Sequence, residues 1–227
     1  MDEVSISYCG DFQATITIER PDTLNSLAAS TLTELARAAA EVSARGDSLK
    51  VVLLRGRGRA FSSGLDLSML EPDCGVPVRA IVRGGQTVMD AFDAIPAVTV
   101  AVLRGAVVGG GVVLASACDL RIAAEDTYFA LPEVDLGVPI RWGGAARLVR
   151  ELGPSLAREL ALTCRPFTAQ EAKAAGFLTR VVPEGELDDA VRELAETLCD
   201  KPVRPLQAVK RSIAEAVEVM TPSRTGS

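Results

Sequence analysis

Two glycine-bearing segments, each placed just after an apolar strand-like run, constrain this chain more than any other feature. Val51–Leu54 leads into FSSGLDL (Phe61–Leu67), and Val98–Leu103 leads into GAVVGGGVVLASACD (Gly105–Asp119). In each case small residues separate the run from a helix-like stretch. Glycine lets a backbone turn sharply and leaves amide N–H groups open to a ligand. A helix starting at the triple glycine adds unpaired N–H groups and a positive dipole end. Two such amides converging on one oxygen would make an oxyanion hole. Taken singly, either segment reads more readily as a mere tight connection. The second lacks the Lys-Ser/Thr of a phosphate loop and the spacing of a dinucleotide fingerprint, which argues against nucleotide and nicotinamide sites.

The absence of histidine from all 227 residues removes further chemistries. It excludes a Ser-His-Asp triad, a Cys-His pair and a histidine metal site, and no metal is expected. A general base must be a carboxylate, lysine, tyrosine or cysteine. The net charge of −6 argues against nucleic-acid binding. Arg104 and Asp119 bracket the longest apolar run, which is too short to span a bilayer. The polar, acidic start (MDEVSISYCGD) does not read as a secretory signal, so the expected location is cytoplasmic. Five scattered cysteines (Cys9, Cys74, Cys118, Cys164, Cys199) read as free and mostly buried thiols.

Alternation over Ala14–Ile18 predicts a half-buried strand. Helices are expected over Thr31–Val42, Val78–Phe92 (opened by Pro77) and Gly110–Ala117, with strands over Lys50–Leu54, Val98–Leu103 and Leu120–Ala123. This order predicts an α/β architecture of repeated ββα units. Beyond Gly143 the chain turns helical. Thr168 and Glu171 have capping-box spacing, Gly176 stops that helix, and Val181–Val182 before Pro183 reads as a return strand. Helices over Leu187–Leu198 and Pro205–Val219 precede a frayed TPSRTGS tail. The expected division is a core over 1–185 and a C-terminal helical region over 186–227.

FSSGLDL, GAVVGGGVVLASACDLRIA, FALPEVDLGV and RPFTAQEAKAAGFLTRVV together resemble the crotonase family of enoyl-CoA hydratases and isomerases, in the right order from Val4 to Ile213. The resemblance implies a right-handed spiral of ββα units with the site between turns. It implies an acyl-CoA or acyl-pantetheine thioester as substrate, with no separate cofactor. Family members typically continue with further helices beyond the position of Met220. The C-terminal region is therefore expected to be truncated, which puts in question the homotrimer or hexamer that the family would suggest.

The family's oxyanion amides correspond to Leu65 and Gly110, and the resemblance sets Ser63, Gly64, Asp66, Gly109, Val113, Arg141 and Trp142 around the substrate. Hydratases of the family carry two glutamates, which correspond to Val113 and Glu133. Only the second is present here, and valine can neither hold water nor exchange a proton. The pattern is similar to the Δ3,Δ2-enoyl-CoA isomerase branch, which implies that Glu133 serves as the one base. Asp66 reads as a brace of its turn more readily than as a base, and Asp135 is a lesser alternative base. Arg141 and Trp142 stand where many members have small residues. They either narrow the acyl tunnel or, for Arg141, pair with a substrate carboxylate, while Trp142 reads equally as packing. Asn25 reads as structural. Arg55, Arg57 and Arg59 fit either the distal phosphates of coenzyme A or a solvated loop. Other chemistry on the same scaffold (a decarboxylase or a specialised hydratase), and a non-catalytic acyl-CoA binder, stay open at this level.

Overall fold

The computed structural model describes residues 2–71, 75 and 77–220; Cys74 and the TPSRTGS tail lie outside them. Strands β1 (Val4–Cys9), β2 (Gln13–Ile18), β3 (Val51–Gly56), β4 (Val98–Leu103), β6 (Leu120–Ala124) and β9 (Arg180–Val182) form one sheet in the order β1-β2-β3-β4-β6-β9. The β1–β2 hairpin is antiparallel and every later pairing in this sheet is parallel. A second, smaller sheet has the order β5-β7-β8, from β5 (Ala106–Val108), β7 (Tyr128–Ala130) and β8 (Phe167–Thr168). From β4 onward each turn pairs one large-sheet strand with a short small-sheet strand (β4 with β5, β6 with β7, β9 with β8), and the β3 turn meets the small sheet through a Ser62–Val107 bridge, which is the expected spiral of ββα units.

Burial on both faces explains the unbroken apolar run of β4, all six of whose residues are buried. One face of the large sheet packs on α1 (Ala29–Ala44), α2 (Val78–Asp93) and α3 (Gly110–Ser116), with Leu35, Val88, Phe92 and Leu114 in that core. On the other face Val51, Val100 and Ile122 meet Leu187, Val191 and Ala195 of α7 (Leu187–Cys199). Helices α4 (Gly144–Leu152), α5 (Pro154–Thr163) and α6 (Ala169–Ala174) follow the second sheet turn, and α8 (Val203–Met220) closes the described chain.

The helices and large-sheet strands lie where expected, within a few residues. Three expectations need correction. The Val4–Cys9 segment is a strand rather than merely a polar start, and its Val4, Ile6, Tyr8 alternation carries that signal. Thr168 does cap α6 by accepting from Glu171 N (3.2 Å), but the Glu171 carboxylate goes to Arg165 instead of completing the box. The thiols are not mostly buried: among the four described cysteines only Cys118 is, and Cys9 is exposed. No described helix is long and apolar enough to cross a membrane.

Candidate active site

The first glycine segment is held in place by buried polar groups upstream of it. Asn25 is fully buried in a left-handed conformation (φ 56°). Its Nδ2 donates to Arg57 O (3.0 Å) and Ala60 O (2.8 Å), and its Oδ1 accepts from Arg20 N (3.0 Å). Ser62 Oγ donates to Asn25 O (2.8 Å) and accepts from Gly64 N (3.2 Å), so the turn after β3 is tied down on both sides. Asp66 is taken up by neighbouring side chains. It accepts from Ser68 Oγ (2.7 Å), Ser26 Oγ (3.1 Å) and Arg20 Nη2 (3.1 Å), and these partners, Ser68 foremost, hold its carboxyl below the usual range.

The second segment is set by parallel pairing of the next turn of the spiral. Val108 N donates to Ser62 O (3.0 Å) and Gly109 N to Ala130 O (2.8 Å). Gly109 then takes φ 50° and ψ −116°, a conformation that glycine reaches without strain, and α3 begins at Gly110. The two segments approach closely: a Cβ on Gly64 would stand 2.5 Å from Val108 O and 3.2 Å from Gly110 N. Only a bare α-carbon fits there. Gly64 N and Gly109 N are both consumed by the chain, while Leu65 N and Gly110 N donate to no other group among the described residues. Two free N–H groups from adjoining turns are thus brought to one place.

The third turn supplies the carboxylate. After β7 the chain makes a tight turn, with Leu136 N bonded to Pro132 O (3.1 Å) and Val138 N to Glu133 O (2.9 Å). This points Glu133 back at the second segment, where Oε1 would meet a Gly109 Cβ at 3.0 Å. Its Oε2 is buried without a hydrogen-bond partner. Desolvation raises its pKa, opposed only by a bond from its own backbone N–H.

Ser63, Gly64, Leu65, Gly109, Gly110 and Glu133 all border one pocket, together with Val113, Arg141 and Trp142. Val113 is buried on α3 and presents a hydrocarbon wall. Trp142 is buried, and Arg141 is exposed at the mouth with no ion pair among the described residues. Asp66 departs from its expected place around the substrate, since its carboxylate is taken up by Ser68, Ser26 and Arg20 and it does not border the pocket, and neither does Asp135. Nor does the arginine cluster: Arg57 pairs with Glu19 (3.0 Å), Arg55 with Asp188 (3.4 Å), and Arg59 is exposed. The sequence reading missed the apolar wall formed by Leu67, Leu70, Val78, Ile81, Val82 and Leu136. Its signal is the 78, 81, 82 spacing on α2, one face of a helix.

A family model described as enoyl-CoA hydratase/isomerase matches residues 13–225 of the chain. The chain belongs to that family. It is 33% identical over 215 residues to the peroxisomal Δ(3,5)-Δ(2,4)-dienoyl-CoA isomerase of Arabidopsis thaliana, covering 89% of this chain and 77% of the relative. The structure of an enoyl-CoA hydratase from Mycobacterium avium subsp. paratuberculosis superposes with a TM-score of 0.90 at 30% identity, covering 98% of this chain and 89% of that one. A putative enoyl-CoA hydratase from Thermobifida fusca, solved in complex with acetoacetyl-CoA, gives 0.85 at 30% identity, with coverage of 95% and 87%. The spiral of this hydratase/isomerase family member is therefore the crotonase fold. Hydratases and isomerases both stand among its relatives, so membership alone does not divide the two reactions.

Proposed function

We propose that the protein shifts the double bond of a 3-enoyl thioester to the 2-enoyl position, with Glu133 as its one base. The substrate would be an acyl-CoA or an acyl-pantetheine, which share the thioester end. The thioester oxygen sits between Leu65 N and Gly110 N. Glu133 takes a proton from C2, the electrons move onto the oxygen as an enolate, and the same carboxyl returns a proton to C4. Each donor to such an oxyanion is worth about 2.7–4 kcal/mol of barrier.

One observation carries this reading over hydration. Among the described residues Glu133 is the only carboxylate bordering the pocket, and hydrocarbon from Val113 fills the wall where a second acid would have to stand. Syn-hydration needs two groups to position and activate water, whereas a proton shuttle on one face of an enolate needs one. A largely desolvated carboxylate is also a stronger base than a solvated one. An unpaired Arg141 at the mouth favours a second reading, decarboxylation of an acyl group bearing a carboxylate, which needs the oxyanion donors and no base.

Ultraviolet absorbance with a 3-enoyl-CoA tests the proposal, since conjugation with the thioester raises absorbance and hydration of crotonyl-CoA lowers it. The expected result is a rise that disappears in Glu133→Gln, with little loss of crotonyl-CoA. A rise unaffected by that substitution, or rapid hydration, would refute the single-base isomerase. Silence in both assays would shift the assignment to decarboxylation or binding.

A further inference from the structure

We infer that Trp142 ends the acyl pocket and sets the length of acyl chain the protein accepts, a role that rests on reading the pocket as an acyl-thioester site. Val78, Ile81 and Val82 border the pocket from successive turns of α2. The next position on that helix face is Gly85, and the indole covers it. A Cβ on Gly85 would fall 2.0 Å from Cε2 and 2.1 Å from Nε1 of Trp142, so the ring lies against bare helix backbone. Its other edge reaches Gly110, where a Cβ would fall 2.5 Å from Cζ3 and 3.0 Å from Cη2. The ring therefore bridges the gap between α2 and the glycine that opens α3. An acyl chain running along α2 past Val78 and Ile81 meets it end-on.

The local backbone is unfavourable on both sides of this contact. Trp142 itself holds φ 59°, a region that residues with a Cβ avoid. Gly85 sits inside a sixteen-residue helix, where glycine is a poor choice. Both are explained together if the ring must lie flat across α2. Glu133 and Trp142 lie against neighbouring glycines, 109 and 110, so the wall stands immediately beside the carboxylate rather than at a remote end.

The chain contains a single tryptophan, so its emission reports on this wall directly. Coenzyme A, butyryl-CoA and dodecanoyl-CoA (saturated, with no double bond to shift) are titrated into the wild type by fluorescence and calorimetry, and into Trp142→Phe and Trp142→Ala, which carry no tryptophan, by calorimetry. Butyryl-CoA, but not coenzyme A, is expected to change the wild-type emission. The ratio of dodecanoyl to butyryl dissociation constants should fall about tenfold or more in Trp142→Ala, with Trp142→Phe between, and coenzyme A affinity unchanged. A ratio within about twofold of wild type in a folded variant would overturn the inference. So would tight butyryl-CoA binding with unchanged emission, because the acyl group would then not reach the ring. If the wild type binds no acyl-CoA at all, the acyl-thioester reading itself fails and the wall falls with it.

Discussion

Glu133 Oε1 stands 3.0 Å from the point where a side chain on Gly109 would begin. The carboxylate is thus held against an α-carbon that must stay bare, on the residue directly before Gly110 and its free N–H. Gly109→Ala puts a methyl group into that gap and forces alanine into φ 50°, ψ −116°. The backbone strain alone is about 1–3 kcal/mol. Displacing the carboxylate by a fraction of its own width should lower kcat on the order of 10²-fold, with a smaller change in substrate affinity. Steady-state kinetics on the folded variant, with stability measured in parallel by urea, separates the two effects.

Desolvation gives Glu133 a definite pH signature. Its carboxyl is raised above the ordinary value, so the native state holds this proton to higher pH than the unfolded chain does. Between the ordinary and the raised value the native state binds more protons, and stability falls as pH rises through that window. Glu133→Gln lacks this loss. Melting temperatures of variant and wild type should nearly coincide below the usual carboxylate range, with the variant the more stable at neutral pH. Activity runs the other way, because only the ionised form is a base. kcat/KM should rise through the same window and show no histidine limb, as the chain has no histidine.

Arg121 supports the site from the far end of α3. It is buried, and it donates through Nη1 to Cys118 O (2.6 Å), through Nε to Phe177 O (2.5 Å) and through Nη2 to Glu151 (2.5 Å). These bonds anchor the segment just past the C-terminus of the short helix whose first residue is Gly110. Arg121→Met leaves the carbonyls and the Glu151 carboxylate without their partner, a loss of about 3–5 kcal/mol. Lysine cannot reproduce the fork, so Arg121→Lys should recover little of it. Chemical denaturation of both variants checks the prediction, and a loss under about 1 kcal/mol in Arg121→Met would contradict it.

The parts of this molecule legible in the sequence are those encoded by local pattern. The buried β4 run, the Pro77 start of α2 and the Gly176 stop of α6 each depend on residues adjacent in the chain. The β5, β7 and β8 strands have three residues or fewer and no period to read. They exist because Ser62, Val107 and Phe129 are stacked by successive turns of the spiral. The same distinction holds at the site. Resemblance singled out Leu65, Gly110 and Glu133, but only the fold places Gly64 against Gly110 N. The arginine cluster shows the converse, since its spacing fitted a phosphate site and a solvated loop equally, and only the fold reveals that Arg57 pairs with Glu19 and Arg55 with Asp188.

Adjacent glycines on α2 make opposite predictions from the same substitution. Alanine in a helix interior is favoured over glycine by about 0.8–1.0 kcal/mol where space allows. At Gly84 a Cβ would meet Leu32 Cδ1 at 3.6 Å, an ordinary contact, so Gly84→Ala should stabilise by roughly that amount. At Gly85 the Cβ would overlap the Trp142 ring, whose edge lies 2.0 Å away and is wedged against Gly110 on the other side. The ring cannot retreat without disturbing Gly110. Gly85→Ala should therefore destabilise by about 1–3 kcal/mol and lower kcat as well. In a Trp142→Ala background the clash disappears, and the same Gly85→Ala change should become neutral or stabilising. That reversal is a coupling of over 1 kcal/mol between residues in contact, measurable as a double-mutant cycle in urea. Additive losses at the two positions would mean that the indole does not rest on Gly85.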